Sequence, residues 1–179
     1  MRSELEIVFM VSSAISSLIG CLVVLTVYMF PKMRERLFMK IIVNISICDI
    51  LASIASAFGF PSMHSPLCPL QGFLVPFFYK AGWLWTVLLA YQLYCVVIHS
   101  KFGMSMQKMH ILCWFTTGLT TLLPLTTNDY GRDDDQDLGW CFIAGNSVSA
   151  GVWGLFTFNF MLLVCSLFIL YFLFRIYWR

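Results

Sequence analysis

The chain has 179 residues, of which 60% are hydrophobic and 11% are charged, and its formal net charge is +2. Soluble domains carry about a quarter of charged residues, so this composition excludes an ordinary water-soluble core. The apolar residues form long runs rather than alternating or amphipathic stripes, which indicates segments surrounded by lipid. No cluster of cations indicates a nucleic-acid-binding surface.

Five apolar segments are long enough to cross the hydrocarbon layer, which takes about 20 helical residues. The first ends at Pro31, and the second ends near Gly59 and Pro61, residue types that commonly terminate helices. The third is long enough to cross at a tilt. We therefore predict an all-α integral membrane bundle, a single transmembrane domain over residues 1–179 with helices at about 7–30, 37–58, 70–98, 110–125 and 147–177.

The distribution of cations sets the orientation, because short cytoplasmic loops retain Lys and Arg. Most of the cations fall on one side of the five segments, and an acidic loop containing Asp133, Asp134 and Asp135 falls on the other. We therefore expect the N-terminus outside and the C-terminus in the cytoplasm. Four cations form a cytoplasmic basic rim, which sets topology and attracts anionic lipid: Arg34, Arg36, Lys101 and Lys108.

Two of the seven cysteines differ from the others in their surroundings. Cys68 and Cys141 lie in polar, loop-like sequence, whereas the other five lie in apolar runs, where a thiol behaves as a small hydrophobe. In the predicted topology both face the oxidising exterior, which favours a disulfide. Such a bridge would fix the acidic loop as a lid over the bundle. The alternative is two unpaired thiols.

Two charged residues lie near the middle of predicted helices. At about 1.5 Å per residue, Asp49 is roughly 18 Å into the second helix, and Lys80 is roughly 18 Å beyond Cys68 on the third. Ionisable residues at this depth usually face the bundle interior and are often paired. Two arrangements remain open: Asp49 and Lys80 form a pair across the two helices, or Asp49 joins a hydrogen-bond network while Lys80 reaches water in a ligand cavity.

Candidates for lining a ligand cavity are Lys80, Trp83, Trp85 and Trp140, although large aromatic side chains inside a bundle more often serve packing. The three histidines lie at helix ends or in loops, without metal-type spacing to acidic residues or cysteines. We therefore expect no metal, no cofactor and no catalytic activity.

Short motifs on successive segments carry a family resemblance. They are Gly20-Cys21, Cys48-Asp49, Trp83-Leu84-Trp85-Thr86, Leu112-Cys113-Trp114, Trp140-Cys141-Phe142-Ile143 and Gly154-Leu155-Phe156. In this order, and with a cysteine before the third helix, they resemble the first five helices of cyclic-AMP-receptor-like G-protein-coupled receptors.

The resemblance covers nearly the whole chain. It implies a plasma-membrane receptor with a ligand cavity open to the outside, and a cytoplasmic face, including the basic rim, that contacts a heterotrimeric G protein. Such receptors have seven helices, and the sixth is expected to move outward to admit the G protein. The sequence contains five apolar segments, so we expect a truncated or partial receptor of this type. The alternative is a non-signalling transmembrane subunit that packs against a partner subunit, or against further copies of itself, in a larger membrane complex.

Overall fold

The computed structural model describes residues 2–59, 61, 62, 65–131, 141–143 and 148–179. Most of this part of the chain is helical. A 3-10 helix (Leu123–Thr127) follows the α-helix Met106–Leu122, and a π-helix (Gly154–Phe160) joins the last two α-helices. The α-helices are α1 (Arg2–Met29), α2 (Pro31–Arg34), α3 (Leu37–Ser56), α4 (Leu67–His99), α5 (Met106–Leu122), α6 (Val148–Trp153) and α7 (Met161–Tyr177).

Four helical stretches within these ranges are long and apolar enough to cross a membrane: Met10–Met29, Leu37–Ser56, Leu67–His99 and Val148–Tyr177. The last stretch, Val148–Tyr177, comprises α6, the π-helix and α7, and we call it the fifth crossing because α5 precedes it in the chain. α5 has 17 residues, and the 3-10 helix extends the same rod to Thr127, which gives it the length of a further crossing. The predicted all-α membrane bundle is confirmed.

Several helix ends differ from the predicted ones. α1 begins at Arg2 rather than near residue 7, and α4 begins at Leu67 rather than near residue 70. α5 begins at Met106 rather than near residue 110, after Ser105 in an extended conformation. The thickness of the hydrocarbon layer fixes the length of the apolar run, whereas helical hydrogen bonding continues into the polar boundary.

α4 is the central helix of the bundle and packs against α3, α5 and α7. α1 packs against α3, where Gly20 permits close approach because a Cβ at this position would lie 2.8 Å from the side chain of Ile50. Large apolar side chains cover the outer surfaces of the bundle, as expected for contact with lipid. The buried hydrophobic cluster lies between α3, α4 and α5 and comprises Ile41, Cys48, Ala81, Trp85, Leu88, Met109 and Cys113.

Two short strands lie at the outer end of α4. β1 (Tyr130–Gly131) pairs antiparallel with β2 (Phe142–Ile143), and Tyr130 lies opposite Ile143. Both strands pack against α4. We call the described residues 128–131 and 141–143 the outer lid.

Candidate ligand cavity and cytoplasmic face

A disulfide bond joins the outer lid to the beginning of α4. Cys68 and Cys141 are bonded across 73 residues of sequence, and their Cα atoms are 5.2 Å apart. This confirms the predicted bridge. Because the bond closes a long loop, it restricts the unfolded chain and thereby stabilises the folded lid.

Gln71 adds a second attachment, one turn further along α4. Its side chain is buried, and Nε2 donates to the carbonyl oxygens of Ala55 and Gly59 at 3.3 and 3.0 Å. Its Oε1 accepts a hydrogen bond from the backbone N–H of Cys141 at 3.2 Å. One amide therefore connects the outer end of α3, α4 and the lid, and a satisfied buried group of this kind favours a single arrangement.

The lid packs tightly on α4. Tyr130 is buried, and its hydroxyl donates to the carbonyl oxygen of Thr121 at 2.8 Å. Burial raises the pKa of the Tyr130 phenol, so it remains a donor at neutral pH. Gly72 makes the close approach possible, because a Cβ there would lie 3.0 Å from the backbone oxygen of Phe142.

An aromatic row extends from the lid between α4 and α5. The Tyr130 ring meets Phe73 edge-on at 6.0 Å, Phe73 stacks on Phe77 at 5.9 Å, and Phe77 stacks on Trp114 at 6.0 Å. Trp114 Nε1 then donates to His110 Nδ1 at 3.2 Å. These contacts give Trp114 a packing role in addition to its hydrogen bond.

Lys80 and Trp85 are almost completely buried, with 1% and 0% of their surfaces exposed. Trp85 belongs to the hydrophobic cluster and meets the His110 ring edge-on at 4.8 Å. Its Nε1 has no hydrogen-bond partner among the residues that the structure describes. Trp140, the fourth candidate for the cavity, lies outside the described residues.

Trp83 faces the fifth crossing. Its ring meets the ring of Phe158 edge-on at 4.9 Å, and Phe158 also meets Phe142 of the lid at 5.2 Å. Phe158 lies in the π-helix, a geometry that often occurs at functional sites. The contact therefore connects α4, the fifth crossing and the lid at one point.

The side chain of Asp49 lines a cleft of about 500 Å³ between α1 and α3. Its Oδ1 lies 3.6 Å from the position that a Cβ on Gly82 would occupy. Residues 80 and 82 are two positions apart on α4, so the directions of their Cβ positions differ by about 200° around the helix axis. Within the described part of the chain, no ion pair joins Asp49 to Lys80. The polar residues that share the cleft with Asp49 are Ser12, Ser16 and Ser46.

At the cytoplasmic end, Gln92 holds the loop between α4 and α5. Its side chain is completely buried, and Nε2 donates to the carbonyl oxygen of Met104 at 2.6 Å. The backbone N–H of Gly103 donates to Gln92 Oε1 at 2.9 Å. Both hydrogen-bonding groups of the amide are therefore used to position residues 103 and 104.

The same loop lies directly on α4 and α3. A Cβ on Gly103 would be 2.6 Å from Cys95 Sγ and 2.7 Å from the Tyr91 ring. Phe102 is 57% exposed, and one side of its ring contacts Phe38 of α3 at 5.9 Å. The loop thus presents an ordered, partly apolar surface at the cytoplasmic end.

The predicted basic rim is exposed and is distributed over several elements. Arg34 ends α2, Arg36 immediately precedes α3, Lys101 lies in the α4–α5 loop and Lys108 lies in the first turn of α5. Gln71 and Gln92 were not among the predicted site residues. An amide side chain inside an apolar helix is costly to bury alone, and this signal would have identified both residues.

Comparisons with known proteins agree with this architecture. The chain is 28% identical to mouse G-protein coupled receptor 157 over 158 residues, which are 84% of this chain and 48% of that protein. It is 26% identical to cyclic AMP receptor-like protein A of Dictyostelium discoideum over 136 residues, which are 74% of this chain and 35% of that protein. The chain thus spans about half the length, or less, of these relatives.

The crystal structure of squid rhodopsin superimposes with a TM-score of 0.75, at 18% identity, over 94% of this chain and 53% of that one. This similarity shows the fold. Residues 1–177 match the family described as slime mold cyclic AMP receptor. The chain is a receptor-type membrane protein that belongs to the slime mold cyclic AMP receptor family.

Proposed function

We propose that the chain serves in a plasma-membrane receptor that binds an extracellular ligand and couples to a heterotrimeric G protein, without catalysing a reaction. The observation that carries the proposal is that α4 fixes a loop at each of its ends, through Gln71 and the disulfide outside and through Gln92 inside. In the proposed receptor, α4 therefore connects the outer side, where the ligand binds, with the cytoplasmic side, where the G protein binds. The names of two relatives, a G-protein coupled receptor and a cyclic AMP receptor-like protein, also support the proposal of a receptor.

Lys80 is the anchor that we propose for the ligand. Lys80 is buried and forms no ion pair with a described carboxylate. An unpaired buried ammonium is costly at membrane depth, and an anionic ligand group would lower that cost. Of the two arrangements left open by the sequence, we favour the one in which Asp49 joins a hydrogen-bond network and Lys80 reaches the ligand cavity. Trp83, Trp85 and Trp140 remain the candidates for its aromatic wall, because flat rings stack well on a ring ligand.

The test uses cyclic AMP, the ligand in the family's name, as the probe. We expect membranes that contain the full chain to bind labelled cyclic AMP, and proteoliposomes with a heterotrimeric G protein to exchange nucleotide faster when it is added. Lys80→Met should weaken binding about tenfold or more, because a charge-assisted contact is lost. Lys101→Gln, which removes an exposed cytoplasmic cation, should leave binding within about twofold of wild type.

The double variant Lys80→Met/Asp49→Asn distinguishes the two arrangements. If Asp49 were the partner of Lys80, the double variant would recover the folded yield that Lys80→Met loses. We expect no recovery. Absence of cyclic AMP binding together with absence of nucleotide exchange would contradict the receptor proposal for this chain and probe.

The second candidate function is a non-signalling subunit. Asp49 is exposed in the cleft between α1 and α3 at membrane depth, a position that another transmembrane helix could cover. A photo-crosslinker at Ser16 in the cleft distinguishes the possibilities. Crosslinking to one defined membrane protein or to a second copy, without ligand-dependent exchange, would favour the subunit.

A further inference from the structure

A second cleft, of about 270 Å³, lies where the cytoplasmic ends of α1, α3 and α5 meet. Among the described residues, its lining contains two cations, three other polar side chains and no carboxylate. A cleft with this charge is suited to an anion. Its lining residues are Val27, Tyr28, Arg34, Lys40, Val43, Asn44, Met106 and His110.

The fold brings these groups together from separate elements. Tyr28 lies in the last turn of α1, Arg34 ends α2, and Lys40 lies in the first turn of α3. Arg34 and Lys40 are exposed, so their charged groups can reach the polar boundary of the membrane. Val27 and Val43 are buried and give the cleft an apolar wall. The cleft therefore has a cationic side and an apolar side.

His110 contributes an imidazole N–H to the cleft. Because Trp114 Nε1 donates to His110 Nδ1 at 3.2 Å, Nδ1 is the acceptor and the ring proton is on Nε2. The edge-on contact with Trp85 at 4.8 Å fixes the plane of the ring. The aromatic row thus holds His110 in the orientation in which it lines the cleft.

We propose that this cleft binds the phosphate of an anionic phospholipid from the cytoplasmic leaflet. Arg34 and Lys40 supply charge, and an arginine can form a bidentate contact with a phosphate. The apolar wall and the position at the membrane boundary favour a phosphate that carries acyl chains over a free one. Basic pockets between the cytoplasmic ends of transmembrane helices are suited to lipid headgroups.

This site differs from general attraction of lipid to the basic rim. Lys101 and Lys108 belong to the rim and do not line the cleft. Lys40 and His110 line the cleft and do not belong to the rim. A specific site therefore predicts that cations with the same charge, at the same end of the protein, have unequal effects on binding.

The experiment measures binding of a short-chain phosphatidylinositol 4-phosphate to the purified full chain in neutral detergent. Arg34→Gln/Lys40→Gln should lower affinity on the order of 30-fold, because each cation near a membrane surface contributes about fivefold. The matched variant Lys101→Gln/Lys108→Gln removes the same charge and should stay within about twofold of wild type. Arg34→Lys/Lys40→Arg keeps the charge and should retain most of the binding, which controls for folding.

Two further probes separate the sources of phosphate. We expect short-chain phosphatidylcholine, and inositol 1,4-bisphosphate without acyl chains, to bind much more weakly than the anionic lipid. Equal losses in the two charge-removing variants, or no loss in either, would overturn the site. Equal affinity for the acyl-free headgroup would overturn the assignment to a lipid.

Discussion

The two ends of α4 hold their loops by similar means, but only one end has a covalent bond. At the outer end, Gln71 and Gly72 bring the lid onto the helix, and the Cys68–Cys141 disulfide secures it. At the cytoplasmic end, Gln92 holds the α4–α5 loop by hydrogen bonds, and Gly103 lets the loop pack closely on the helix. The outer loop is therefore fixed covalently, whereas the inner loop can open locally at a modest cost in free energy.

The largest effect should come from removing the covalent bond. We expect Cys68→Ser/Cys141→Ser to lower the free energy of unfolding by about 3 kcal/mol, because the unfolded loop gains conformational freedom. Thermal unfolding, followed with a fluorophore that reacts with buried thiols such as Cys48 and Cys113, measures the change. Cys21→Ser, at an exposed free thiol, is the control and should change little. Equal unfolding temperatures for the two variants would show that the bridge does not secure the lid.

An intermediate effect should follow removal of the inner hydrogen bonds. Gln92→Leu abolishes the two hydrogen bonds to the loop, which are each worth about 1 kcal/mol, so the loop should open more often. We expect trypsin cleavage after Lys101 in nanodiscs to accelerate on the order of 30-fold, since cleavage follows the open population. Gln107→Leu, at an exposed amide, should leave the rate unchanged. Similar cleavage rates in both variants would mean that Gln92 does not hold the loop.

The smallest effect concerns steric contact at the inner end. Gly103→Ala places a methyl group 2.6 Å from Cys95 Sγ, and we expect a loss of about 1 kcal/mol in unfolding free energy from overpacking. Gly118→Ala is the matched control, because its added Cβ would have no described atom within 4 Å apart from its chain neighbours and the nearby backbone of its own helix. It should be neutral or slightly stabilising through helix propensity. A loss at residue 118 as large as that at residue 103 would argue against the steric explanation.

The sequence predicted the features that depend on local composition. Long apolar runs predicted the membrane helices, and the polar surroundings of Cys68 and Cys141 predicted their bond. Features that depend on how distant segments meet were not predictable. Gln92 acts through a loop 11 and 12 residues away, and Lys40 and His110 line one cleft only because α3 and α5 converge. The π-helix that divides the fifth crossing was not predicted either.

That π-helix, Gly154–Phe160, has a consequence for changes in chain length. In an ordinary helix, deleting one residue rotates everything beyond it by about 100° and exchanges lipid-facing side chains for inward-facing ones. A wide turn already contains surplus backbone, so losing one residue there can tighten it into α-geometry while Ala150 and Met161, buried on either side, keep their directions. The fifth crossing can therefore lose one residue without a change in its packing, whereas the other described crossings have no π-helix to absorb such a deletion.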